Sequence, residues 1–253
     1  MNRPDLYRLL DWDSAFFRKR IGRILPSRVT AEEMSAAIDW ADISQLDCLY
    51  FLCEANDPES SYLAQVHRFR LVDIRMTLES CASVQTDKSN SAIAGGVRPA
   101  EERDLPFLKS LARSSHRDSR FYADPDFDRD RCDAFYECWI EKSCGGWAEV
   151  VLTATVEECP VGYISCHFSK EVFEGSIGLL AVDARAQGNG FGRLLVASAM
   201  TWFSQRGAKR VTVVTQGANT RAQRLYQRCG FVTQSLQLWY HRWKHEVKNR
   251  YYE

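Results

Sequence analysis

The sequence has no excess of either charge: Lys and Arg total 33 and Asp and Glu total 33 among 253 residues. No global field therefore draws the chain to nucleic acid, to an anionic membrane or to a strongly acidic substrate, and any charged ligand has to be held by local groups. The chain also lacks a run near 18 apolar residues, and Met1 to Leu10 carry charges and a proline where a secretory leader needs an unbroken apolar stretch. The expectation is a cytoplasmic protein with no membrane and no nucleic-acid partner. Nine cysteines at irregular spacings, with no CxxC pair, exclude a disulfide framework and a zinc site of the usual bite. They read as reduced thiols, with Cys132, Cys138 and Cys144 on rotating faces of a helix as packing residues. There is no Gly-Lys-Ser/Thr loop for a nucleoside triphosphate.

What is present is 45% hydrophobic content, enough to bury a core in one large domain or two modest ones. Residues 1–80 alternate short strand-like and helix-like pieces and end in a period-2 strand from Phe69 to Leu78. Residues 81–92 are polar and Ser-rich and read as a linker. Residues 93–243 then give a strand at Ala92 to Val97, helices at Glu101 to Arg113 and Arg131 to Lys142, and strands at Trp147 to Val156, Val161 to Phe168 and Ser176 to Val182. These last three form an antiparallel meander, with a turn near Glu157, Glu158, Cys159 and Pro160. A helix at Phe191 to Gln205, a β-branched strand at Arg210 to Thr215, a helix at Thr220 to Cys229 and a closing strand at Thr233 to Tyr240 follow, before a basic tail at 244–253. The class is mixed α/β, of α+β type.

The most informative segment is the turn from Val182 into the helix at Phe191. Glycines at 188, 190 and 192 remove Cβ atoms, so that successive amides can turn toward a ligand at a helix N-terminus, where a pyrophosphate is the natural guest. The turn follows a meander instead of opening a βαβ unit, which excludes a dinucleotide fold.

Gln187, Gly190 and Gly192, led in by Leu180 to Asp183, resemble the Gln/Arg-x-x-Gly-x-Gly/Ala motif of the GCN5-related N-acetyltransferases, the GNAT superfamily. Asn219, Ala222, Leu225, Tyr226, Gly230 and Phe231 are similar to the family's following helix, and Val97 to Leu105 resemble its first strand and helix entry. The resemblance implies a GNAT fold, a central, mostly antiparallel, splayed sheet flanked by helices, with acetyl-CoA as donor and no metal. It implies that Leu180, Ala181 and Val182 run beside the pantetheine arm and that Gln187, Gly188, Asn189, Gly190, Phe191, Gly192 and Arg193 hold the pyrophosphate. Asn219 caps its helix and is placed to bond the cofactor, while Tyr226 is the expected acid for the departing thiolate. The general base stays open among His116, His167, His241 and a water relay.

A narrower likeness adds an acceptor. Trp12 to Phe17, Ile21 to Ile24, Ser119 to Tyr122, Phe135 to Ile140 and Thr215 with Gln216 resemble the TDP-fucosamine acetyltransferase group, which pairs a small N-terminal α/β domain with the acetyltransferase domain. The strands at Phe69 to Leu78 and Phe231 to Leu238 share a pattern, as if residues 1–80 were a reduced GNAT half. The likeness implies a dTDP-amino sugar substrate used in polysaccharide synthesis, contacted by Arg120, Tyr122, Gln216, Tyr240 and His241. Another small-molecule or protein amine, or a non-catalytic acyl-CoA-binding module, are the alternatives, and the oligomeric state is open, a homodimer included. The run Asp124, Asp126, Asp128 and Asp130 fails the calcium-loop pattern, with Arg129 and Phe135 where glycine and glutamate are needed, and reads as a solvated loop or substrate lid.

Overall fold

A computed structural model describes residues 6–81 and 95–244. Ten strands form one sheet in the order β1-β2-β3-β10-β4-β9-β8-β7-β6-β5: β1 (Tyr7–Leu9), β2 (Ile21–Ile24), β3 (Cys48–Glu54), β4 (Arg70–Cys81), β5 (Gly96–Pro99), β6 (Val150–Val156), β7 (Cys159–Ser169), β8 (Glu174–Val182), β9 (Arg210–Gln216) and β10 (Val232–Trp243). Only β2–β3 and β8–β9 run parallel; the other pairs are antiparallel. Helices α1 (Asp11–Phe17), α4 (Leu105–Ser115), α5 (Arg120–Ala123) and α6 (Arg129–Lys142) pack on one face, around Tyr163, Leu179 and Ala181. On the other face, α7 (Phe191–Gln205) and α8 (Thr220–Arg228) cover one half of the sheet, and α2 (Ala31–Ile43) and α3 (Pro58–Val66) the other.

The sheet runs unbroken across the boundary expected at 81–92. Residues 1–80 contribute β1 to β3 and most of β4, and β4 lies between β9 and β10, so the two segments share one sheet. The order is palindromic about the β10–β4 pair: β3, β2 and β1 on one side match β9, β8 and β7 on the other, with the same parallel and antiparallel senses. Each half ends with its last strand across the midline. Residues 82–94, including most of the expected linker and the start of the strand at Ala92, lie outside the described residues, as does the basic tail after Lys244.

Local chemistry explains the element boundaries. Thr30 and Glu33 form a reciprocal capping box at the start of α2. Glu157 and Glu158 both take positive φ, 47° and 63°, so the β6–β7 hairpin closes through a two-residue turn whose twist matches the strands, and Cys159 and Pro160 already belong to β7. The helix expected from Glu101 begins as a single 3-10 turn at Glu102–Asp104, with Asp104 held by a bidentate bond from Arg98 (2.6 and 3.0 Å), and becomes α4 at Leu105. Trp147, expected at a strand start, instead ends a wide turn over Ser143–Trp147 that bends at Gly146.

Candidate active site

The sheet opens between β8 and β9. Their parallel pairing runs from Glu174 opposite Arg210 to Ile177 opposite Val213 and stops there. On the other edge of β8 the register with β7 shifts between Ile164 and Cys166, a bulge that bends β8 away from β9. Gly178 sits at the bulge because a Cβ there would meet Ser165 Oγ at 2.6 Å and His167 Nε2 at 2.9 Å. Ser165 Oγ in turn accepts from the Leu179 amide at 2.8 Å, satisfying a donor that the irregularity frees.

The opening is a cleft of about 770 Å³ lined by β8, the glycine turn, β9, α8 and the end of α4. The Asp183 amide donates to Val161 at 2.8 Å. Antiparallel alternation then turns the backbone of Ala181 toward β7 and the amides and carbonyls of Leu180 and Val182 toward the cleft. The side chain of Gln187 confirms the direction, since its Nε2 donates to the Val182 carbonyl at 2.9 Å. At the far end Gly188 and Gly190 take φ of 83° and 87°, with open space beside Gly188, and Gly192 lets α7 approach Leu225 of α8. Asn189 turns its amide back to Ala186 at 3.4 Å, and Phe191 is a buried core residue whose ring anchors the turn.

Arg193 lines this end, and so do Arg221, Arg224 and Arg228, which the sequence reading did not single out. Their spacing of three and four puts them on one face of α8, a signal that was available. Arg221 donates to Gln187 Oε1, so Gln187 braces the strand end against α8. Asn219 caps α8 by accepting from the Ala222 amide at 3.0 Å. Tyr226 lines the cleft with its ring buried against Phe231, and burial pushes its phenol well above the ordinary range, so that it stays protonated at neutral pH. Because Gly190 adopts a left-handed conformation, Gly190→Ala is expected to lower stability by about 1–2 kcal/mol, read as a reduced urea midpoint.

The face of the sheet beneath α1 and α4 to α6 carries a polar lane into the cleft. Glu54, Gln237, Arg75 and Gln216 are register partners on β3, β10, β4 and β9. Gln237 donates to Glu54 at 2.7 Å and accepts from Arg75 at 2.8 Å, and Gln216 lines the cleft. Arg120 lies over Trp239, Tyr50 and Phe121, with ring centroids 4.3, 4.9 and 4.2 Å from its guanidinium carbon. Arg23 stacks on the same Trp239 at 5.2 Å. Burial, and then the positive charge of Arg120, depress the guanidinium pKa of both Arg23 and Arg75. The Nε atoms of Arg23 and Arg120 and the hydroxyl of Tyr50 are buried without a protein partner among the described residues. His116 lines the cleft mouth, its Nε2 2.9 Å from Tyr163 Oη and its ring stacked on Tyr136; burial lowers it to about 4.

Three expected acceptor contacts stand elsewhere. Tyr240 is 2% exposed in the core under α2 and α3, where its hydroxyl bonds Ser61 at 2.9 Å. His241, on the opposite face, is fully buried, with Nδ1 2.6 Å from Asp124 Oδ2, and burial lowers it to about 4. Adjacent residues of a strand face opposite sides, so these two cannot serve one site. Tyr122 bonds Asp133 of α6 and does not line the cleft. The acidic run is likewise no solvated loop at its start: Asp124 is buried against Arg70, His241 and Trp243, while Asp128 caps α6. His167 packs on Trp147 near Gly178. All nine cysteines are free.

A splayed sheet with a glycine turn at the mouth of its gap defines an acyltransferase cleft of the GNAT type. Residues 108–231 match the model of the acetyltransferase (GNAT) family, and this segment is an N-acetyltransferase domain of that family. It is similar to dTDP-fucosamine acetyltransferase of Escherichia coli O6:H1, 28% identical over 240 residues that cover 92% of this chain and 96% of the relative. It is also similar to spore coat polysaccharide biosynthesis protein SpsD of Bacillus subtilis, 30% identical over 145 residues, 57% of this chain and 50% of that one. A GCN5-related N-acetyltransferase from Sphaerobacter thermophilus shares the fold, with a TM-score of 0.64 at 14% identity, covering 94% of this chain and 76% of its own. No helix among the described residues is long and apolar enough to cross a membrane.

Proposed function

We propose that this enzyme transfers the acetyl group of acetyl-CoA directly to the amine of a nucleotide-linked amino sugar, of the dTDP-4-amino-4,6-dideoxyhexose type, in surface polysaccharide synthesis. The observation that carries the acceptor is the partly buried arginine cluster. Arg23, Arg75 and Arg120 crowd one lane that opens on the cleft at Gln216; Asp13 and Glu54 offset only part of the repulsion that Arg120 exerts on Arg23 and Arg75, so the lane suits an added anion. A sugar carried on a diphosphate supplies that charge, and Tyr50 and Trp239 offer aromatic faces to its base or ring. A polyamine or another cationic acceptor would be repelled from the same lane. The names of the relatives agree with a sugar amine.

The donor side fits acetyl-CoA. The amides of Leu180 and Val182, turned into the gap, suit a pantetheine arm, and the glycine turn with Arg193, Arg221, Arg224 and Arg228 suits its phosphates. Acetyl-CoA supplies a thioester already reactive toward a neutral amine, so the protein's part is alignment, an amide for the carbonyl oxygen and a proton for the sulfur. Tyr226 is the donor of that proton.

Steady-state kinetics test the acceptor. The nucleotide-linked amine is expected to exceed the same amino sugar without its nucleotide in kcat/KM. Arg120→Met is expected to raise KM for the sugar nucleotide by about 10- to 100-fold, as for a lost charged hydrogen bond, with KM for acetyl-CoA unchanged. Equal kcat/KM for the two forms of the sugar would remove the nucleotide from the proposal.

A further inference from the structure

We propose that Asp73 is the general base that takes the proton from the acceptor amine, an assignment that rests on the N-acetyltransfer proposed above. Asp73 lies on β4 opposite Trp239 of β10, on the helix-covered face that also carries Arg75 and Gln216. β9 pairs with β4 as far as Gln216 opposite Arg75, and the Gly217 amide then closes onto the Ile74 carbonyl at 2.7 Å. Asp73 is therefore the next β4 residue on that face, just beyond the end of β9 and one step along the strand face from Arg75, the partner of cleft-lining Gln216; it stands behind the cleft lining, at the lane's end.

The charged and titratable groups that face Asp73 are Arg120 of α5, Asp118 before it and Tyr136 of α6. Tyr136 stacks on His116, whose ring centroid is 4.8 Å away and which lines the cleft. The Arg120 guanidinium lies over aromatic rings, and Asp73 has no ion-pair partner within 4 Å among the described residues. Burial raises its carboxyl to about 7, against the opposing pull of the Ile74 amide and of Arg120. A carboxylate tuned to neutral pH is matched to proton collection, whereas an ordinary one is too weak a base.

The histidines are worse placed. His116 is lowered to about 4 with its Nε2 engaged by Tyr163; His241 shares the helix-covered face but is sealed under the α5–α6 loop with Asp124. His167 belongs to β7 and is lowered by burial.

The transfer balances. The amine nitrogen forms the bond to the acetyl carbon, its proton passes to Asp73, the carbon–sulfur bond breaks with its electron pair on sulfur, and Tyr226 protonates that sulfur. Asp73 then releases its proton to solvent and the Tyr226 phenolate takes one back.

The pH profile of kcat/KM for the amino sugar nucleotide decides the matter. In the wild-type enzyme it should rise as pH climbs through about 7, since only the carboxylate accepts the proton. Asp73→Asn should lower kcat by about 100- to 10,000-fold and abolish that limb. Asp73→Glu should recover part of the rate, and acetyl-CoA should bind all three proteins equally by calorimetry. Arg120→Met should move the limb to higher pH, because the charge that favours the carboxylate is gone. An Asn variant that keeps the limb and a kcat within about twofold of wild type, against that loss, overturns the proposal. If the sugar nucleotide is inert while another amine is acetylated, the substrate proposal fails, and the same profile with that amine still decides the role of Asp73.

Discussion

Tyr226→Phe is expected to lower kcat by about 10- to 1000-fold while leaving the dissociation constant of acetyl-CoA nearly unchanged, the range of a lost general acid. The substitution removes one oxygen from a ring that is held in place by packing on Phe231, so the aromatic core beneath α8 keeps its shape. The phenol is raised above its usual range by burial, which keeps the proton on the oxygen until a basic thiolate forms beside it. Turnover should respond and binding should not, because a proton is needed only as the sulfur departs. Stopped-flow turnover with acetyl-CoA binding measured by calorimetry separates the two. An unchanged kcat would take Tyr226 out of the reaction.

Asp124→Ala is expected to destabilise the fold by about 3–5 kcal/mol, the cost of removing one partner from a buried charged network. The carboxylate is completely buried and accepts from Arg70 at 3.1 Å, His241 at 2.6 Å, Trp243 at 2.8 Å and the Asp126 amide at 3.1 Å. Alanine leaves the imidazole and indole donors buried without an acceptor and frees the loop between α5 and α6 from β4 and β10. Urea denaturation followed by far-ultraviolet circular dichroism measures the loss. A change below about 1 kcal/mol would mean that water replaces the carboxylate and that the network is not structural.

The donor side of the cleft was legible in the sequence because its signals are local. The glycine turn, the cap at Asn219 and the helix bearing Tyr226 all lie within 183–231, where spacing along the chain fixes spacing in space. The splay had a local signal too in Gly178, set between Ile177 and Leu179 in β8, the mark of a bulge or close approach. The acceptor side was largely not. Arg23, Arg75, Asp73 and Gln216 come together only because β4 inserts between β9 and β10, and alternation along a strand tells which side chains share a face, not which strand is its neighbour. The same long-range pairing explains Asp124: nothing near it in the chain announces that Arg70, His241 and Trp243 will close over it. Tyr240 and His241 are different, since strand alternation alone already forbade a shared role.

The most direct measurement is thiol release from acetyl-CoA by the intact protein against a panel of amines that includes dTDP-4-amino-4,6-dideoxyhexoses, polyamines and peptide N-termini. Release is expected with the amino sugar nucleotide, in one-to-one yield with N-acetylated product and slowed by Tyr226→Phe. Binding of acetyl-CoA with no release for any amine would contradict this and leave a non-catalytic acyl-CoA-binding protein.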